Sequence, residues 1–200
     1  PAAYFLEYHG KYFAGEIHTA GVVHEECFEG VAARSISELV NPDYVVIGEA
    51  SGLNIKTGQR GRAEILLETF GKAAHSANPE KGVNAVKKMC RLISELDKLQ
   101  PPVHEQLGKG IMEVTDIISS PYPGASVVPE YCRATLDRRL LTGETKESVL
   151  APVKELIARL EKEDPQFSAK ASFSVGKEKC YTDAEIQGER FFPGWYYDPK

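Results

Sequence analysis

Glu25 and Glu26 stand side by side at the end of an apolar, β-branched run, Ile17 to Val23. Neighbours on a regular strand point to opposite faces, but at a strand end both turn into one cavity. Two carboxylates so placed suit a division of labour: one coordinates a hard or borderline cation and the other handles a proton. A solvated acidic loop reads the same way. Glu49 follows a second apolar run, Val45-Val46-Ile47-Gly48. If the two runs are strands joined by one helix, Glu26 and Glu49 converge on one ion; a loop or helix-capping glutamate is the other reading. His75 lies between a strand-like and a helix-like stretch, where an imidazole is placed to meet an anion or an oxyanion. A surface or capping histidine is its alternative. Asp137-Arg138-Arg139 sits inside a strand pattern, so at most one of the two arginines lines a given site. A guanidinium there suits bidentate binding of a substrate carboxylate or a cross-strand ion pair.

The elements that must position these residues follow from periodicity. Residues 17–23 and 43–48 read as buried strands, with Val31 to Val40 as the helix between them and Asn41-Pro42 as its stop. Strand, helix and strand with short loops predict a parallel βαβ unit, whose ligands gather at the carboxyl ends of the strands. After Gly58 the rhythm changes. Strands are expected at Arg62–Phe70, Gly110–Ile118, Glu130–Leu141 and Phe167–Val175, with helices at Gly82–Leu99 and Thr145–Lys162. The second helix opens on a capping box around Thr145 and Ser148 and closes before Asp164-Pro165. The order β-α-β-β-α-β is the split βαβ, or ferredoxin-like, arrangement. The aromatic stretch Glu189 to Lys200 reads as chain returning toward the first domain.

Composition sets limits. The 200 residues are 42% hydrophobic and 26% charged, which suits a folded core and excludes a disordered chain. No apolar run approaches the roughly 20 residues of a membrane helix. A net charge of −5 without a basic stripe argues against a nucleic-acid partner. Four scattered cysteines (Cys27, Cys90, Cys132 and Cys180) show no paired metal spacing and favour a reducing, cytoplasmic setting.

As a set, Val23-His24-Glu25-Glu26, Gly48-Glu49-Ala50-Ser51, Gly71 to Ser76, Gly82-Val83-Asn84-Ala85, Val127-Val128-Pro129 and Asp137-Arg138-Arg139 resemble metallopeptidase family twenty. That family holds zinc-dependent deacylases and carboxypeptidases: acetylornithine deacetylase, succinyl-diaminopimelate desuccinylase, glutamate carboxypeptidase and the aminoacylases. The texture is nearest to its bacterial subgroup of selenium-metabolism-linked hydrolases. The resemblance implies an α/β fold: part of a zinc-peptidase catalytic domain over 1–58, an inserted ferredoxin-like lid or dimerisation domain over 59–176, and a return segment over 177–200. It implies Glu25 as general acid/base, Glu26 and Glu49 as metal ligands, and His75 as the lid histidine that reaches a partner's active site and stabilises the tetrahedral intermediate. Arg139 matches the arginine that grips a substrate carboxylate, and Ser126 stands at a substrate-contact position where many members carry asparagine. The implied cofactor is zinc, two ions per complete subunit, with cobalt or manganese also able to occupy carboxylate-rich sites.

The departures are as informative. No histidine of this chain has an aspartate two residues on, so the family's His-x-Asp motif is missing. Its bridging aspartate and C-terminal histidine have no counterpart either. Nothing physical explains His24, which replaces the usual acidic or amide residue. Zinc sites normally take three or four protein ligands, so two carboxylates fall short of a two-zinc centre. The chain opens Pro1-Ala2-Ala3 without Met, and it is read as an inactive internal piece of a longer hydrolase. The expected parent is a homodimeric amide hydrolase acting on N-acyl amino acids or small peptides through metal-activated water. The alternative is a non-catalytic dimerisation or binding module with the same ferredoxin-like fold.

Overall fold

The computed structural model describes residues 2–25, 30–180 and 182–197. The chain divides into two compact units, Pro1–Gly52 and Leu53–Lys200.

In the first unit the elements are helical: α1 (Ala2–His9), a short 3-10 turn at Gly10–Tyr12, and α2 (Val31–Val40). Gly30, at φ 74°, caps the start of α2. Asn41 turns left-handed at its end and donates its N–H to the Ser37 carbonyl, and Pro42 follows, as the sequence predicts. The strands expected at residues 17–23 and 43–48 do not form among the described residues. The reason is physical. A parallel strand buried on both faces needs neighbours to take its backbone N–H and C=O groups and cover its side chains. Neither run has such a neighbour here, and Tyr44 and Val46 are 92% and 95% exposed.

The second unit is the ferredoxin-like arrangement. Its strands are β1 (Gly61–Phe70), β2 (Ile111–Ser120), β3 (Tyr131–Leu140) and β4 (Ser168–Phe173). Two helices, α3 (Ala85–Leu96) and α4 (Lys146–Glu163), complete the β-α-β-β-α-β order. The sheet runs β4-β1-β3-β2, antiparallel throughout. Register is specified by alternation: Ala63, Ile65, Leu67 and Thr69 of β1 are fully buried, while the residues between them face the other way. Against that buried face pack Met89, Leu92 and Leu96 of α3 and Val149, Val153, Leu156, Ile157 and Leu160 of α4. Truncating Ile65 or Leu67 to Ala would cost about 2–5 kcal/mol by loss of transfer energy and cavity formation.

Local chemistry sets the helix ends. Asn84 accepts the Lys87 N–H at 3.1 Å and starts α3 three residues later than the expected Gly82. Thr145 and Ser148 cap each other reciprocally at the start of α4, as the capping box predicts. A hairpin, β5 (Val175–Lys179) with β6 (Glu185–Glu189), follows β4. The chain then lays Phe191–Phe192 along β1 and Trp195–Tyr196 along Gly58–Gln59. At this crossing Gly61 and Gly194 meet backbone to backbone, and a Cβ on Gly61 would lie 2.2 Å from the Phe192 carbonyl oxygen.

Candidate functional site

Three of the sequence motifs converge on His75. Gly71 begins the turn, and a side chain there would run into the Val83 carbonyl oxygen at 2.1 Å. A side chain at Gly82 would meet the Lys72 carbonyl oxygen at 2.6 Å. These glycines let Lys72 and Val83 exchange both backbone hydrogen bonds, each at 2.9 Å. The Ala85 N–H donates to the Pro129 carbonyl at 2.9 Å, and Thr69 donates its buried hydroxyl to the Ala85 carbonyl at 2.9 Å. Ala74–His75 then pairs with Val127–Val128. The Ser76 N–H donates to the Ser126 carbonyl at 2.8 Å, so His75 and Ser126 share one corner.

Within this corner His75 is exposed, and its Nδ1 accepts the Ala77 N–H at 3.1 Å. A neutral ring held this way carries its proton on Nε2, which is then its donor.

The arginine pair divides between the two faces of β3. Arg138 is 3% exposed and points to the helix side. It donates to Glu144 Oε1 at 2.6 Å, to the Ile111 carbonyl at 3.3 Å and to the Arg139 carbonyl. Burial pulls its guanidinium below the ordinary arginine value, and the Glu144 carboxylate opposes that pull. Arg139 faces outward with its side chain 46% exposed, and its Nε lies 2.9 Å from Asp137 Oδ1. Arg62, opposite Arg139 on β1, donates through Nε to the other Asp137 oxygen at 2.7 Å. Spacing alone shows that adjacent arginines diverge, but Arg62 becomes visible only once the β1–β3 register is known.

Near the His75 end of the sheet, Tyr131 donates its hydroxyl to Glu68 Oε1 at 2.8 Å. Burial and then this hydrogen bond to the carboxylate raise the phenol above its ordinary value. Tyr131 and Arg139 are eight residues apart on β3, on the order of 26 Å at about 3.3 Å per residue. His75 therefore lies beyond the Tyr131 end of β3, and Arg139 lies near its other end.

The expected carboxylates belong to the first unit. Glu25 and Glu49 are exposed, and Glu49 accepts the Ala50 N–H at 3.2 Å. Glu26 lies outside the described residues. No group of three or more His, Cys, Asp or Glu among the described residues could hold a metal ion.

Residues 57–165 match the peptidase dimerisation domain of the M20 family. The Escherichia coli protein YgeY is 33% identical over 179 residues, covering 88% of this chain and 43% of its own length. Succinyl-diaminopimelate desuccinylase of Zymomonas mobilis is 27% identical over 154 residues, covering 72% of this chain and 40% of that protein. The chain thus spans less than half the length of these curated relatives. Among solved structures, the aminobenzoyl-glutamate utilization protein of Klebsiella pneumoniae matches 83% of this chain and 38% of its own, at a TM-score of 0.50 and 16% identity. A hydantoinase/carbamoylase family amidase from Burkholderia ambifaria matches 72% of this chain and 31% of its own, at a TM-score of 0.50 and 14% identity. Both likenesses concern the fold. With the dimerisation domain matched over more than half of its length, the chain belongs to the M20 peptidase family.

Proposed function

We propose that the full-length gene product is a metal-dependent amide hydrolase acting on N-acyl amino acids or small peptides. One observation carries this reading: the M20 dimerisation fold holds His75 exposed beside Ser126, where three sequence motifs converge. Relatives named acetylornithine deacetylase and succinyl-diaminopimelate desuccinylase support the reaction class. M20 hydrolases are generally metal-dependent, and zinc is the proposed ion, with Glu26 and Glu49 the residues of this chain offered to it. Glu25 is proposed as general acid/base, taking a proton from the attacking water and delivering it to the leaving amine. His75 would stabilise the oxyanion, Arg139 would grip the substrate carboxylate, and Ser126 would contact substrate beside His75.

The separation of His75 from Arg139 supports a homodimer. Tyr131, at the His75 end, and Arg139 are on the order of 26 Å apart, several times the length of an N-acyl amino acid, so one chain does not bring both His75 and Arg139 to one substrate. A second copy supplies the missing partner. β2 is one edge of the sheet, and its Ile111, Ile117 and Ile118 are 40%, 48% and 40% exposed. An unpaired strand edge with apolar side chains is a template for pairing with another chain.

The free thiols of Cys90, Cys132 and Cys180 suit the proposed cytoplasmic setting. No helix among the described residues is long and apolar enough to cross a membrane. The experiment is an assay of the purified full-length gene product, supplied with zinc, against N-acetyl and N-succinyl amino acids and dipeptides. Turnover of at least one class is expected; inertness toward all of them would overturn the reading.

A further inference from the structure

The outer face of the sheet carries an ordered row of charge. In register, Glu64 of β1, Asp137 of β3 and Glu113 of β2 lie side by side, with Arg62, Arg139 and Ile111 in the neighbouring row. Like charges directly opposite one another on a sheet oppose folding, so a carboxylate at Asp137 must be compensated by what it binds. It accepts a hydrogen bond from Arg62 Nε at 2.7 Å and forms an ion pair with Arg139 Nε at 2.9 Å, with its own side chain only 13% exposed. The two contacts are not equivalent. Arg62 also reaches Glu64, at 3.3 Å, whereas the ion pair with Asp137 is the contact that orients Arg139 among the described residues.

We infer that Asp137 is the positioning residue for Arg139. Its ion pair on the Nε side of the guanidinium leaves the two Nη groups, the end-on fork, to meet a planar carboxylate. Arg62, tied to Asp137 and Glu64, braces the carboxylate from the other side. The inference rests on the reading of Arg139 as the substrate-carboxylate grip. It adds that the grip is end-on, and that the residue setting its aim does not itself touch substrate.

The test uses the full-length gene product, N-acetyl-L-amino acids, and matched N-acetyl-L-amino acid amides that lack the carboxylate. Asp137→Asn should raise KM for the acids roughly tenfold, the usual scale for a lost charge-assisted contact, with kcat within about twofold and KM for the amides unchanged. Asp137→Glu should recover part of that loss. If Asp137→Asn leaves KM unchanged while Arg139→Ala raises it, the grip stands and the positioning role falls. If neither substitution moves KM for the acids, the grip itself is wrong. Equal losses on acids and amides would assign Asp137 to stability alone, and hydrolysis of neither substrate would overturn the underlying reading. Should Asp137→Asn fail to fold, the wild-type chain still decides by NMR. Nitrogen-15 relaxation at Arg139 Nε should show a restricted side chain, and the mobility of a free arginine would overturn the inference.

Discussion

Arg138 and Arg139 are adjacent in the chain yet occupy opposite faces of β3, one buried against Glu144 and the other half-exposed beside Asp137. The same residue type at neighbouring positions therefore carries two jobs, structural support inside and a free guanidinium fork outside.

That division predicts a contrast in stability. Glu144 accepts from Arg138 at 2.6 Å and from the Leu141 N–H at 2.6 Å, so Glu144→Ala strands a buried guanidinium. Removing one partner of a buried pair costs about 3–5 kcal/mol, whereas Arg139→Ala should stay near the roughly 0–1 kcal/mol typical of exposed pairs. Denaturant unfolding of this chain measures both. Equal effects would refute the assignment.

When neutral, His75 should be the Nε2–H tautomer, because its Nδ1 is occupied by the Ala77 N–H. Nitrogen-15 NMR reads this directly, and a proton on Nδ1 would contradict the geometry. In the full-length gene product, His75→Ala should lower kcat by about 10²–10³, the scale for losing one oxyanion donor, with little change in KM.

The exposed edge of β2 predicts self-association. Ile117→Lys combined with Ile118→Lys should convert a dimer to a monomer in sedimentation velocity while leaving the circular dichroism spectrum unchanged. Charged lysines on an edge strand oppose pairing without disturbing the fold behind it. A dimer that survives both changes would point to a different surface.

Asp164 links stability to pH. Lys88 Nζ, at 2.6 Å, and the Gln166 N–H, at 2.9 Å, hold its carboxyl below the usual aspartate value. A depressed carboxyl pKa means that the ionised form stabilises the fold above the unfolded value of about 3.9, and that this contribution disappears as pH falls through the folded value. The melting-temperature gap between the wild-type chain and Asp164→Asn should therefore hold steady above about pH 5 and close below about pH 4. A gap independent of pH would mean that the ionised carboxylate is not the stabilising form.

Where local chemistry and long-range packing agree, the structure was legible in advance. The Thr145–Ser148 box marks the start of α4, and the alternation through Ala63, Ile65, Leu67 and Thr69 marks the buried face of β1. The ferredoxin-like order follows from such elements because each buries its own face against the others. The runs at 17–23 and 43–48 show the limit: an apolar, β-branched run becomes a strand only where a neighbour completes its ladder. The site divides in the same way. The type and parity of Arg139 were readable, whereas the brace formed by Arg62 and Asp137 depends on β1–β3 register, which no local pattern encodes. The role of Gly71 and Gly82 likewise emerges only from the backbone crossing they permit.

The central claim is metal-dependent amide hydrolysis, and the most direct test is the rate of N-acyl amino acid hydrolysis by the full-length gene product before and after chelation. Activity should vanish when the metal is removed and return when zinc is restored; hydrolysis that continues undiminished after chelation would contradict the account.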